Sequence, residues 1–66
     1  MRIDQYRLQT GMMECGKAHY RIAQQAGMSA KTLRRIEREG RCNRNQRDAI
    51  ARAIDMDPRD LTLWEE

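Results

Sequence analysis

The stretch Ile22–Glu39, "IAQQAGMSAKTLRRIERE", constrains the fold more than any other part of the chain. Ile22, Ala23 and Ala26 fall on one face of a helix, and Arg21, Gln24 and Gln25 fall on others. Gly27 then predicts a helix end, because glycine takes positive φ at little cost. Ser29 follows as an N-cap whose hydroxyl can accept an orphan amide of a second helix, Ala30 to about Glu39, stopped near Gly40. Two helices joined by so short a glycine-bearing turn are the sequence mark of a helix-turn-helix, here about residues 18–40. At 100° per residue, Leu33 and Ile36 share the inner side of the second helix, flanked by Ala30 and Glu37. Lys31, Arg34, Arg35 and Arg38 lie opposite, on a common outward face.

Charge follows the same division. Residues 19–44 carry seven Lys/Arg against two Asp/Glu, a net of +5, whereas residues 45–66 carry three against six, a net of −3. Clustered positive charge is the footprint of a polyanion partner. An acidic membrane surface answers the charge but does not require the helical punctuation. With 66 residues the chain predicts a single domain, 1–66, close to the lower size limit for an unstapled core, which favours a binding module over an enzyme. No apolar run approaches the roughly 18 residues that span a bilayer, and the expected setting is cytoplasmic, with no membrane partner.

The remaining punctuation predicts a compact, all-α fold of four or five short helices. Residues 2–10 permit a short helix ending before Gly11, and Gly11–Lys17 reads as a loop or a helix remnant. Asn45, with Asp48 three residues on, signals the start of a further helix whose inner stripe is Ala49, Ile50, Ala53 and Ile54. "DPRD" at Asp57–Asp60 opens a last helical turn, with Leu61 and Trp64 as its apolar anchors. Cys15 and Cys42 lie 27 positions apart and are expected as free thiols. With His19 they form an incomplete zinc set lacking a fourth ligand, so neither metal nor cofactor is expected.

An α-helix fits the major groove of B-DNA, where arginine and lysine donate to guanine O6 and N7. Lys31, Arg34 and Arg35 are accordingly the candidate base readers, with Ala30 a further candidate through its methyl group. Arg38, Arg41, Asn43 and Arg44 are candidates for phosphate, together with Ser29, His19 and Tyr20 at the helix starts. The competing reading makes the arginines a solvated face, with Tyr20 packed and His19 in solvent. Glu37 and Glu39 would repel phosphate and are expected to point elsewhere, Glu37 toward an arginine of the first helix. No nucleophile motif or phosphate-binding glycine loop points to catalysis.

"RIAQQAGMSAKTLRRIEREG" resembles the helix-turn-helix of the lambda repressor-like, or Xre-type, transcriptional regulators. Ala23 matches the small residue at the helix contact, Gly27 the turn glycine, Ser29 the start of the recognition helix, and Leu33 and Ile36 its buried positions. "NQRDAIARAIDMDPRDL" resembles the fourth helix of that family and the turn into the last. The resemblance implies a five-helix domain that binds double-stranded DNA as a homodimer on an inverted repeat, usually as a repressor. It departs from the family in about five extra residues through Lys17, and it offers Arg7, or else Arg2, as the partner of Glu37. Leu61, Leu63 and Trp64 are candidates for the dimer contact or, equally, for closing the monomer's core. A reading of another class is a protein-interaction module, such as an antitoxin or adaptor, served by the acidic "DMDPRDLTLWEE".

Overall fold

The computed structural model describes residues 1–64. Five helices carry the fold: α1 (Gln5–Glu14), α2 (His19–Gln25), α3 (Ala30–Glu39), α4 (Arg44–Ala53) and α5 (Pro58–Leu61). A ribbon that the sequence reading did not contain joins the two ends, β1 (Arg2–Ile3) pairing antiparallel with β2 (Thr62–Trp64). Backbone bonds lock β1 in place from both sides: Ile3 N–H donates to Gly40 O, and Asp4 N–H to Leu61 O. The Met1 amino group adds a bond to Cys42 O at 3.1 Å. The start of the chain thus ties the exit of α3 to the last helical turn.

The core draws on every helix and on β1. Ile3, Leu8, Ile22, Leu33, Ile36, Ile50 and Leu61 are all but fully withdrawn from solvent. Burial of a side chain of this size is worth about 1.5–3 kcal/mol against leaving it exposed, so these seven positions supply most of what organises so short a chain. Arg47 is buried beside them, its guanidinium donating to Asp48 Oδ1 and Thr62 Oγ1 at 2.9 Å each, which ties α4 to β2. Cys15 and Cys42 are free thiols; burial pushes the Cys42 thiol upward, so it stays protonated at neutral pH.

Four expectations are corrected. Gly11 does not end a helix but lies buried inside α1, where a Cβ would stand 2.7 Å from Met56 Cε and 3.0 Å from Ile54 Cδ1. It permits close approach of α1 to the end of α4, and α1 runs on to Glu14. The N-cap of α4 is Asn43 rather than Asn45, because Asn43 and Gln46 form a reciprocal capping box at 2.7 and 3.0 Å. Its inner face uses Ile50, Ala51, Ala53 and Ile54, while Ala49 is only half-buried. Trp64 anchors no helical turn, since α5 stops at Leu61 and Trp64 stands 47% exposed on β2. The helical turn opened by "DPRD" is present with Pro58 in its first turn, and Asp57 caps it, its carboxylate accepting from Arg59 N–H at 2.9 Å. Hydrogen bonds from Arg59 hold that carboxyl below its ordinary range.

Candidate nucleic-acid interface

Local chemistry at both ends fixes α3. Ser29 Oγ accepts the Thr32 N–H at 3.1 Å, satisfying one of the amides that a helix start leaves orphaned. At the other end Gly40 adopts φ +69° and its N–H returns to Ile36 O at 2.7 Å. The Gln5 side-chain amide then donates to Glu37 O and Arg38 O at 2.9 and 2.8 Å, satisfying two further terminal carbonyls.

Between these caps the helix is sharply two-faced. Leu33 and Ile36 are fully buried, and Lys31, Arg34, Arg35 and Arg38 are exposed. The four cations line one open groove with Thr32. Among the described residues no carboxylate pairs with Lys31, Arg34 or Arg35, and the contact of Arg38 with Glu39, 3.6 Å, is an exposed pair of little energetic weight. The groove is a single-sign surface.

Other candidates fall unevenly around it. Ala30 is half-buried against the core, which limits its methyl as a reader. Ser29 is engaged as the N-cap and also donates to Thr32 Oγ1 at 3.0 Å. Tyr20 is 68% exposed, so it does not pack. Arg41 is exposed and its backbone bridges to Arg2; Arg44 is exposed on the first turn of α4. Asn43 is exposed, but its carbonyl oxygen is committed to the capping box.

His19 departs from its expected role. Its Nε2 lies 2.6 Å from Glu37 Oε2, so the imidazole links the start of α2 to the end of α3 instead of reaching outward for phosphate. Its Nδ1 is buried without a hydrogen-bond partner among the described residues. The same contact answers the question of Glu37, whose partner is neither arginine proposed for it: Arg7 instead faces Asp4 at 3.7 Å, on the first turn of α1. Glu37 is thereby withdrawn from the basic face, as expected, by a residue only 18 positions away in sequence. Nothing in the order of residues marks His19 as that partner, since the pairing depends on how α2 crosses α3.

Sequence reasoning also overlooked Gln5 and Lys17. The Lys17 ammonium donates to Ala53 O at 2.7 Å and to Gln25 Oε1 at 2.8 Å, fastening the entry of α2 to the exits of α4 and α2. Leu61 is fully buried and closes the monomer's core, which removes it from the candidate dimer surface; Leu63 remains exposed beside Trp64. No described helix is long and apolar enough to cross a membrane. No protein-family model, curated protein or solved structure matches this chain.

Proposed function

We propose that this chain is a sequence-specific double-stranded DNA-binding regulator of the lambda repressor-like kind, with α2, the turn at Gly27 and α3 as its helix-turn-helix. The observation that carries this reading is the two-faced α3: Leu33 and Ile36 inside, and Lys31, Arg34 and Arg35 outside with no carboxylate partner among the described residues. A helix of this width enters the major groove, where those long donors meet guanine N7 and O6. Arg38, Arg41 and Arg44 flank that insertion and meet phosphates, with Tyr20 serving the same backbone from α2. The protein acts as a homodimeric repressor on an inverted repeat, its half-sites about 10 bp apart. The exposed Leu63 and Trp64 on β2 supply apolar surface for the dimer contact.

A second reading draws on the same two side chains and on the acidic segment that bears them: a protein-interaction module of antitoxin or adaptor type. Sequence preference separates the two. Phosphate neutralisation makes affinity fall with salt in either case, but a regulator keeps a preferred duplex sequence, whereas a module with incidental DNA binding binds all duplexes alike and co-purifies with a protein partner.

The test is selection of bound sequences from a random duplex pool, followed by affinities for the selected site. Arg35→Ala is expected to cost about 1–3 kcal/mol and to relax preference at one base pair. Arg41→Ala is expected to weaken all duplexes alike and to lower the salt slope by about 1. Equal losses on every duplex for both variants would dismiss the division into readers and clamps.

A further inference from the structure

Thr32 is the one uncharged side chain in the groove of α3, set among Lys31, Arg34, Arg35 and Arg38. Its hydroxyl has the Ser29 hydroxyl as a neighbour. A threonine inside a helix commonly turns its Oγ1 back to a carbonyl of the preceding turn. Here Oγ1 instead accepts from Ser29 Oγ at 3.0 Å, while Ser29 Oγ accepts the Thr32 N–H at 3.1 Å. Two hydroxyls that share one mutual bond retain one O–H proton, and in the arrangement with Ser29 donating that proton is carried by Thr32 and turns about its C–O bond toward a ligand. The groove therefore offers a hydroxyl donor beside a γ-methyl on a short, conformationally stiff side chain.

Resting on the DNA-binding reading above, we propose that Thr32 is a specificity-determining residue that reads thymine in the major groove. Its O–H donates to O4, and its γ-methyl packs against the C5 methyl. The choice follows from matching shapes. Thymine is the base whose major-groove edge sets an acceptor beside a methyl group, whereas guanine's paired acceptors suit the longer arginines. A phosphate is the poorer match, because the side chain is too short to reach past the four cations to the rim of the groove.

Sequences are selected from a randomised duplex pool by the wild type, Thr32→Val and Thr32→Ser, and affinities are measured on the wild-type site and on the same duplex with uracil in place of the assigned thymine. Thr32→Val keeps the branched shape and removes the proton. It is expected to lose the thymine preference at one position per half-site and to bind the wild-type site roughly two- to tenfold more weakly, the scale of one neutral hydrogen bond. Thr32→Ser keeps the proton and is expected to retain a weakened preference. Uracil is expected to weaken the wild type but not Thr32→Ser. Thermal unfolding confirms that both variants fold. The assignment is overturned if both variants select the wild-type sequence with unchanged affinity, or if Thr32→Val weakens every duplex equally. A wild-type pool without any enriched sequence would instead overturn the DNA-binding reading, and this inference with it.

Discussion

α2 and α3 are neighbours joined by four residues, yet they are stabilised in different ways. α3 has ten residues, a serine cap at one end, a left-handed glycine at the other and two fully buried anchors. α2 has seven residues, and its N-cap is Ala18, which makes no side-chain capping bond. Its start is held by neighbours: Lys17 reaches Ala53 O, and His19 reaches Glu37. A helix of seven residues is well below the roughly 12–15 at which isolated helices become even marginal, so α2 exists through its packing. The difference suits a brace and the element it presents. α3 carries its own instructions at each end, while α2 takes its shape from what it supports.

The harshest way to break this comparison is to remove what the two helices share. Leu33→Ala deletes a fully buried side chain from the core into which both pack. It is expected to cost about 2–5 kcal/mol, a large part of the stability of so small a domain. In urea, helical circular dichroism and the fluorescence of Trp64 on β2 should lose structure together at a lower midpoint. If helicity instead survived past the fluorescence change, α3 would be independent of the core and the caps would be its main support.

What could be read in advance divides along the same line. α3 was legible because its caps, apolar pair and basic face lie within its own residues, from Ser29 to Gly40. α5 was legible for the same reason, through Asp57 and Pro58. Gly11 was misread as a stop because a glycine gives the same signal whether it ends a helix or lets another element approach, and only the packing of Met56 and Ile54 distinguishes the two. α4 ends at Ala53, and the chain turns away at Asp55, a non-glycine residue at φ +56°, so no glycine announced its exit. The ribbon was invisible because β1 has two residues and pairs with a segment some sixty positions away. Of the site, the outward cations were readable from periodicity. The His19–Glu37 contact was not, because it depends on where two helices cross.

A finer comparison sets the two helix ends against each other. Gly27 and Gly40 have nearly the same φ, +71° and +69°, but a Cβ at Gly27 meets open space while one at Gly40 would lie 2.8 Å from Gln5 Cδ. Alanine at either position incurs the left-handed cost of about 1–2 kcal/mol. Gly40→Ala additionally displaces Gln5 from the Glu37 and Arg38 carbonyls, adding about 1 kcal/mol for exposed bonds of this kind. A double-mutant cycle isolates that excess. Gln5→Ala is expected to cost about 1 kcal/mol alone and close to nothing in the Gly40→Ala background. Equal costs in both backgrounds would mean that Gln5 does not cap α3.

The smallest effect tests the asymmetry at the helix starts, and it does so in both directions. Ser29→Ala removes the α3 cap and is expected to destabilise by about 1 kcal/mol. Ala18 already has cap geometry, φ −65° and ψ 151°, and it is exposed, so a serine there needs no rearrangement to offer its oxygen to the first turn of α2. Arg21 N–H is already bonded to Ala18 O at 3.0 Å, which leaves less to gain than at an empty cap. Ala18→Ser is therefore expected to stabilise by only about 0.5 kcal/mol, the low end for a new cap. Its signature is a urea midpoint that rises at constant slope, since the surface exposed on unfolding is unchanged. A loss of stability from Ala18→Ser would show that α2 tolerates no support from its own residues, because the crossing set by Glu37 and Lys17 already dictates where its first turn must lie.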